Sequence, residues 1–325
     1  PYQRRTAQKQ RRPPFLLEIK GDNDHTKLIA MLNDLNDYSV PMSEILGKYF
    51  DTENIAYWMA FQLLTGNIDT QNRNVYLYSP TNSDTFYLLD WDNDGMLMRK
   101  EYEIRQRADG QSWENGISNY WGNILLRRCL QTKSFRTALD KAVNDEYKYM
   151  SAGRINSMVR QYRSIVEPYV QKMPDSMHEP LTSSQYDAVA DQLHSEIEQN
   201  YQTYQTGFNK PMPFYIGKPT PANGKLRLNW DVAYDFNDED LRYAVTVSKD
   251  YAGDDVVFSQ RDVVLPEAVM DMPGEGQYFI KVSVSNASGY TQDAFDHYIT
   301  DGNKIYGTKC FYVKADGSIV EDTNE

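Results

Sequence analysis

Apolar residues recur along the chain with two different periods, and the change between them divides the sequence into two parts. Up to about residue 209 they recur at intervals of three and four, the spacing of amphipathic helices. Beyond that point apolar and polar residues alternate, the spacing of half-buried strands. The pattern predicts an α+β protein with a mainly helical domain at 15–209 and an all-β domain at 210–325, joined by a linker at Lys210–Pro213.

Two short strands are predicted to interrupt the helical domain. The elements predicted before residue 90 are helices over 27–35 and 43–50, a helix from Asp51 or Thr52 to Gly66, and strands over 75–78 and 86–89. Asp or Thr favours a helix start and Gly a helix end, which sets the limits of the third helix. The two strands flank a turn-forming stretch and therefore predict a hairpin. Further helices are predicted between Trp121 and Phe208.

Polar residues that suit a divalent cation and a phosphate group lie around this hairpin. Asp69 follows the third helix, Asn74 comes five residues later, and Asp92 comes after the second strand. Asn and Asp offer the hard oxygen atoms that Mg²⁺ prefers, and an Asp can accept a proton from a substrate hydroxyl. A protein-kinase catalytic loop has the same order: an Asp, a metal-binding Asn, a hairpin and a second Asp. The spacing therefore predicts a phosphoryl-transfer site.

In these motifs the sequence resembles the kinases typified by the spore-coat protein H, CotH. The resemblance covers roughly residues 15–170. It rests on the apolar helix Asn54–Leu64, on Gly66-Asn67-Ile68-Asp69, on Asn74 with Tyr76 and Tyr78, and on Trp91-Asp92-Asn93-Asp94, which matches the family's Trp-Asp-x-Asp signature. It implies the helical lobe of an atypical protein kinase that transfers phosphate from ATP to Ser or Thr of a protein substrate, with Mg²⁺ or Mn²⁺ as cofactor.

The resemblance also implies roles for single residues. Asp69 is expected to be the catalytic Asp, Asn74 and Asp92 to bind the metal and its nucleotide, and Asp94 to support that site or add a ligand. Asn67 stands where ordinary kinases carry the His of His-Arg-Asp. About fifty residues precede the third helix, without a Gly-rich loop, so the family's N-terminal lobe is expected to be absent from this chain. The sequence therefore predicts a kinase and leaves the activity of the chain open.

The carboxylates after the hairpin also match a different kind of cation site. Asp90, Asp92, Asp94, Gly95 and Glu101 follow the Ca²⁺-loop pattern D-x-D-x-D-G-x₅-E. The segment entering this loop is predicted as a strand, and no second copy occurs, whereas EF-hands have helical flanks. This match predicts a non-catalytic secreted or surface binding protein, in which the helical domain is a scaffold for a Ca²⁺ loop. A solvated acidic turn without any metal is the third interpretation.

The all-β domain resembles a fibronectin type III module, an immunoglobulin-like sandwich. Its strands are predicted over 225–230, 242–248, 255–258, 277–284 and 295–299, followed by a hairpin over 309–320. Trp230 in an early strand, and Gly276-x-Tyr278 ahead of Asn286-x-x-Gly289, carry the resemblance. It implies a binding or spacer module without catalysis, and by analogy an extracellular or cell-surface location with a protein substrate or surface partner.

Composition and charge limit the remaining function classes. The net charge of −12 argues against nucleic-acid binding, and the five basic residues within 1–14 predict an unpacked arm. Two Cys, one in each predicted domain, exclude a disulfide framework, and no stretch is apolar enough to span a membrane. The four His lack zinc-site spacing, and no G-x-S-x-G motif occurs. Residues 99–116 are predicted as a solvated loop, near which Trp113 and Trp121 line a substrate groove or pack in the core.

Overall fold

The computed structural model describes residues 24–71, 73–107, 110, 112–178, 181–300 and 302–322. The predicted basic arm at 1–14 and the start of the first predicted domain lie outside these residues. Within the described part, eight α-helices and several antiparallel sheets confirm the α+β class. None of the helices in that part is long and apolar enough to cross a membrane.

The helices and strands follow the predicted order. The helices are α1 Thr26–Asn36, α2 Met42–Tyr49, α3 Thr52–Thr65, α4 Arg99–Ile104, α5 Ile124–Gln131, α6 Lys133–Tyr149, α7 Ala152–Val170 and α8 Ser183–Gly207. The strands are β1 Tyr76–Tyr78, β2 Tyr87–Leu89, β3 Thr220–Ala222, β4 Lys225–Asn229, β5 Arg242–Ser248, β6 Val256–Val263, β7 Glu267–Asp271, β8 Gly276–Ser285, β9 Thr291–Asp293, β10 His297–Thr300, β11 Asn303–Tyr306, β12 Thr308–Val313 and β13 Ile319–Glu321. Residues 68–70, 93–95, 112–114, 116–120 and 175–177 form short 3₁₀ helices.

Helix α3 is the central helix of the helical domain, and its limits confirm the prediction. The Asp51 side chain accepts a hydrogen bond from the backbone N–H of Asn54 at 2.9 Å, which caps the first turn. Gly66 ends the helix with a left-handed backbone, at φ 60°. Most of the α3 side chains are buried, and the helix packs on α6, α8 and β2. The loop after α3 therefore begins at a residue whose position is fixed by the packing of the helix.

The predicted hairpin is present and is attached to the first turn of α3. β1 and β2 pair antiparallel, with Tyr76 opposite Leu89. The Asn54 side chain accepts the backbone N–H of Leu88 at 2.8 Å and donates to its carbonyl at 3.1 Å. These two bonds occupy the edge of β2 that β1 leaves free. They hold β2 against α3, and β2 leads directly into the acidic loop, residues 90–95.

The solvated loop predicted at 99–116 is wrong for two parts of this segment, whereas residues 105–107 are exposed and lie outside any helix. Residues Arg99–Ile104 form α4, because Glu196 of α8 accepts the N–H groups of Arg99 and Lys100 at 3.2 and 2.8 Å and so caps the new helix. Further along, Trp113 is only 5% exposed. A cap that comes from a distant helix leaves no local sequence signal, which is why the pattern of this segment suggested a loop.

In the second part of the chain β10 and β11 pair as a separate two-stranded sheet, and two larger sheets surround a shared core. One sheet has the strand order β13-β12-β8-β5-β6 with β9 beside β8, and the other has the order β3-β4-β7. Leu226 and Met270 of the small sheet belong to the same buried cluster as Val245 and Ile280 of the large one. The alternation of apolar and polar residues predicted for these strands therefore puts their apolar side chains on the face that packs in the shared core. The pattern missed β3, β7, β9 and β11, which are three to five residues long.

The segment predicted as a linker is instead buried where the two parts of the chain meet. Met212 is 0% exposed and belongs to the core of the helical part, and its N–H donates to the carbonyl of Tyr234 at 2.7 Å. Trp113 packs edge-on against Phe295, with ring centroids 5.3 Å apart. Trp121 is likewise buried in this core, so both Trp residues pack rather than line a groove. The sandwich and the helices therefore share apolar core at this boundary.

Candidate functional site

The loop after α3 presents Asp69 at the protein surface. Residues Ile68–Thr70 form a single 3₁₀ turn, and the side chain of Asn67 accepts the N–H of Asp69 at 3.2 Å. Asn67 is buried, whereas Asp69 is exposed. The turn thus directs one carboxylate outward from a buried base, as a residue that orients a substrate hydroxyl requires.

The segment before α5 holds this loop from the interior. The Tyr120 hydroxyl donates to the carbonyl of Asn67 at 3.0 Å, and the Thr70 hydroxyl lies 3.3 Å from the same phenol oxygen. The side chain of Asn123 donates to the carbonyl of Gln71 at 3.0 Å. Burial raises the pKa of Tyr120 to about 12, so its phenol stays protonated as a donor at physiological pH. The Asp69 loop is therefore fixed by contacts far along the chain.

The acidic loop after β2 lies directly beside the Asp69 loop. The Asn67 amide donates to the side chain of Asn93 at 3.2 Å. Gly95 makes the close approach possible, because a Cβ atom at this position would lie 3.0 Å from Asn67 Oδ1 and 3.4 Å from Asp69 Cβ. The structure thus brings Asp69 next to the turn formed by Asn93–Gly95, which Asp92 immediately precedes.

Both predicted metal ligands adopt an unusual backbone conformation. Asn74 has φ 56° and Asp92 has φ 54°, in the left-handed region that Asn and Asp tolerate better than other side chains. The rings of Tyr76 in β1 and Trp91 after β2 stack with centroids 5.4 Å apart, and so join the two segments that carry Asn74 and Asp92. Such conformations persist only where surrounding structure imposes them, and they occur often at functional sites.

The residue types of this predicted donor set suit a divalent cation, but among the described residues no three His, Cys, Asp or Glu side chains are grouped so that they could hold one. Mg²⁺ in nucleotide-dependent enzymes takes one or two carboxylates from the protein and completes its shell with phosphate oxygens and water. Asp92 and the exposed Asp94 carry carboxylates and Asn74 carries a carboxamide oxygen, and among the described residues no hydrogen bond joins Asp69, Asn74 and Asp92 to one another. The structure brings Asp69 to the acidic loop and brings the segment of Asn74 to that of Asp92.

The alternative Ca²⁺ loop is not assembled in this structure. Asp90 accepts a hydrogen bond from Gln62 at 3.0 Å, and Glu101 is ion-paired with Arg105 at 2.7 Å. Among the residues that the structure describes, no three His, Cys, Asp or Glu side chains are grouped so that they could hold a metal ion. The set formed by Asp90, Asp92, Asp94 and Glu101 therefore stays a prediction without convergent ligands.

Sequence reasoning missed two polar residues behind the acidic loop. Gln62 is buried in α3, and its Nε2 lies 3.0 Å from Asp90 and 3.5 Å from the side chain of Asn93. Glu146 of α6 has an oxygen that is buried without a hydrogen-bond partner. Partial burial, and then the charge of Asp90, raise the pKa of Glu146 to about 8. A Gln within an otherwise apolar helix was a sequence signal for the first residue, whereas nothing local marked the second.

Comparison with known proteins identifies the family of this chain. The family model described as CotH kinase protein matches residues 4–204. The match spans more than half of the chain, and it includes the Asp69 loop, the hairpin and the acidic loop. This match assigns the chain to the class of kinase-like proteins. The chain belongs to the CotH kinase family, and no curated protein matches it.

Proposed function

We propose that this protein takes part in ATP-dependent phosphoryl transfer to Ser or Thr of a protein substrate, with Asp69 orienting the acceptor hydroxyl. The observation that carries the proposal is the close approach of Asp69 to the acidic loop at Gly95. Phosphoryl transfer depends on positioning and charge stabilisation more than on covalent chemistry by the protein. An exposed carboxylate on a fixed turn beside candidate metal ligands meets the first requirement.

The proposal also gives roles to the other predicted site residues. Asn74 and Asp92 would hold Mg²⁺ or Mn²⁺, with Asp94 as support or further ligand, and the cation would neutralise the phosphate charge that develops during transfer. Asn67 orients the Asp69 turn through the N–H of Asp69 and ties it to Asn93. The protein's own contribution would therefore be to hold the acceptor hydroxyl in a fixed position relative to the acidic loop and its bound cation.

For the second part of the chain we propose a fibronectin type III-like module that binds a protein partner outside the cell or at its surface. The hydroxyl of Tyr278, near the start of β8, donates to the carbonyl of Gly274 at 3.0 Å. This bond has the form of the tyrosine corner that occurs in immunoglobulin-like sandwiches. The arrangement of one three-stranded and one longer sheet supports the same assignment. Such modules mediate binding in many surface proteins, which is the basis for the proposed location.

The proposal is tested by phosphate transfer from radiolabelled ATP to a protein acceptor in the presence of Mg²⁺. Asp69→Asn is expected to lower transfer at least about a hundredfold with little change in nucleotide binding, because it removes an interaction that acts in the transition state. Asp84→Asn is the matched control, since Asp84 is an exposed carboxylate in the turn between β1 and β2. Equal transfer by the Asp69 variant and the wild type would reject the assignment.

A further inference from the structure

An open cavity of about 450 Å³ lies on the large sheet of the sandwich. Its lining residues come from four neighbouring strands of that sheet, β5, β6, β8 and β9. The volume lies within the range of small-ligand pockets. The roles proposed above use no residue of this cavity.

The alternation of side chains along these strands brings three positive groups to the cavity. In β5 every second residue is buried in the shared core, so Arg242 and Ala244 point to the opposite, outer face. In β8, Lys281 lies between two buried residues and also points outward. Arg261 and its neighbour in β6 lie opposite Ala244, at a bulge where two residues of β6 face one of β5. All three cations therefore belong to one outer surface.

The small side chain of Ala244 lies at the centre of this group. Ser283 of β8 is directly opposite Ala244, and Lys281 is two residues from Ser283 on the same strand. Arg242 is two residues from Ala244 along β5, and Arg261 faces it from β6. Side chains at such positions start roughly 5–8 Å apart. Three long side chains around a methyl group leave a depression with a positive rim.

The three cations are not neutralised by carboxylates of the protein. Among the residues that the structure describes, no side-chain hydrogen bond or ion pair engages Arg261 or Lys281. Arg242 donates to a neighbouring backbone carbonyl, and its ion pair with the exposed Asp240 spans 4.0 Å. Asp262 also lines the cavity, and in the same described part it forms no ion pair with any of the three. Like charges on one face of a sheet repel, so a bound anion would stabilise this surface.

Hydroxyl groups between the cations add hydrogen-bond donors. Thr246 is directly opposite Lys281, and Ser283 is opposite Ala244. Both are half-buried, and within the described ranges neither hydroxyl has a hydrogen-bond partner. A carboxylate has one charge and two oxygens, whereas a phosphate monoester carries about −1.5 to −2 charges and three acceptor oxygens. Several cations and hydroxyls around one point therefore match a phosphate group better than a carboxylate.

We propose that this cavity binds the phosphate group of a phosphorylated Ser or Thr residue in a protein partner. The guanidinium groups of Arg242 and Arg261 and the ammonium group of Lys281 surround the phosphate. The hydroxyls of Thr246 and Ser283 donate to its oxygen atoms. The choice of phosphorylated Ser or Thr rests on the proposed phosphoryl transfer, whose product carries that group. Inorganic phosphate is the other source of the same chemistry.

The floor of the cavity is rigid, whereas its rim consists of long side chains. β5 is an inner strand, and its backbone pairs with β6 on one side and with β8 on the other. Binding therefore requires no rearrangement of the strands, but it costs the conformational entropy of two Arg side chains and one Lys side chain. A single phosphorylated residue is consequently expected to bind with modest affinity.

Calorimetric titration of the whole protein with Nα-acetyl-phosphoserine N-methylamide tests the proposal. We expect saturable binding in the millimolar range or tighter, weakened about tenfold by Arg261→Gln and by Lys281→Gln because each removes a charge-assisted hydrogen bond. Both residues are exposed, so these variants should fold like the wild type. Arg227→Gln is the matched control, since it removes the same charge from the exposed face of β4 in the other sheet, and it should bind like the wild type.

Further probes identify the source of the phosphate group and the outcomes that would overturn the proposal. Nα-acetyl-serine N-methylamide, which lacks the phosphate, is expected not to bind. Tighter binding of inorganic phosphate than of the phosphoserine amide, with the same loss in Arg261→Gln, would overturn the peptide assignment in favour of free phosphate. A heparin tetrasaccharide that binds when the phosphoserine amide does not would replace it with a sulfated glycan. Equal binding of the two amides, or binding that neither Arg261→Gln nor Lys281→Gln weakens, would also overturn the proposal.

This titration is independent of phosphoryl transfer. It contains neither ATP nor an acceptor, so a failure to bind the phosphoserine amide would leave the assignment of Asp69 unaffected. In the same way, absence of phosphate transfer by the wild type would leave a measured affinity of the cavity unchanged. The two proposals can therefore fail separately.

Discussion

The carboxylate of Glu114 accepts a hydrogen bond from the hydroxyl of Tyr306 at 2.6 Å, across the boundary between the helical part and the sandwich. The other oxygen of Glu114 pairs with Lys304 at 2.7 Å, and the carboxylate also accepts the N–H of Gly110 at 2.7 Å. Six residues after Glu114, Tyr120 donates to the base of the Asp69 loop. The sandwich is thus connected to the candidate catalytic loop through a short stretch of chain.

Breaking this contact is expected to destabilise the whole protein. Glu114→Ala removes the buried carboxylate that accepts hydrogen bonds from Lys304, Tyr306 and Gly110, and the loss of these charge-assisted bonds costs about 3 kcal/mol. Because the two parts share a core, urea unfolding should remain a single transition with a lower midpoint. The exposed pair of Arg227 and Glu267 provides the control, and Arg227→Ala should cost less than about 1 kcal/mol. Two separate transitions, or equal losses, would contradict the coupling.

A methyl group at Gly95 should reduce phosphate transfer more than it reduces stability. In Gly95→Ala the new Cβ meets Asn67 Oδ1 at 3.0 Å and must push the two loops apart. We expect transfer to fall about tenfold, since small displacements of positioning groups have large kinetic effects, with a stability loss of about 1 kcal/mol. Gly47→Ala is the matched control, because nothing lies within 4 Å of its added Cβ.

Steady-state kinetics and thermal melting separate the two effects of the Gly95 substitution. A drop in kcat with an unchanged KM for ATP indicates that the acceptor position has moved rather than the nucleotide. Gly47 lies in α2, where Ala is the better helix former, so that control should gain about 0.5–1 kcal/mol. If Gly95→Ala transfers phosphate as fast as Gly47→Ala, the close approach of the two loops has no role in positioning.

The elevated pKa of Glu146 predicts a specific dependence of stability on pH. A carboxyl group with a raised pKa in the folded state binds its proton more tightly there than in the unfolded chain. This group therefore lowers stability as pH rises from 4.5, the ordinary value, to about 8, and no further above that. Glu146→Gln removes the dependence and should be more stable than the wild type by about 2 kcal/mol at pH 8, allowing for partial exposure.

Urea denaturation at several pH values measures this effect. The difference between Glu146→Gln and the wild type should be small at pH 4.5 and should grow steadily to pH 8. The charge of Asp90 is the second cause of the raised pKa of Glu146, so Asp90→Asn should reduce part of the same slope. Glu198→Gln, on the exposed face of α8, should show the wild-type slope. A pH-independent difference would mean that Glu146 titrates normally.

Local signals in the sequence predicted the fold wherever the structure depends on neighbouring residues. The Asp51 cap and Gly66 stop lie at the ends of the helix that they define, so α3 was predicted closely. By contrast, α4 is capped by Glu196, 97 and 96 residues away, and its pattern alone indicated a loop. The segment around Met212 has the composition of a linker, and its burial results from packing between the two parts.

The candidate site likewise contains some residues that the sequence predicted and others that it could not. Asp69, Asn74 and Asp92 were predicted from their spacing, because metal and hydroxyl chemistry restricts residue types along a short stretch. The supporting residues could not be predicted, since Tyr120 reaches the Asp69 loop from 53 residues away. Glu146 likewise meets Asp90 only because α6 packs on α3. Residue types therefore indicate a site, whereas the shell that positions it depends on tertiary contacts.

Two substitutions, one in the acidic loop and one in α4, separate the kinase and Ca²⁺ hypotheses. Asp92→Asn should weaken binding of ATP with Mg²⁺ about tenfold or more, measured by calorimetry, because it removes a charged metal ligand. Glu101→Gln should leave that binding unchanged, since Glu101 is paired with Arg105 on α4. Asp84→Asn again serves as the surface control. The opposite result would be tight Ca²⁺ binding that Glu101→Gln abolishes, without any response to ATP and Mg²⁺. It would favour the scaffold hypothesis, because Glu101 would then have left Arg105 to complete a Ca²⁺ loop with Asp90.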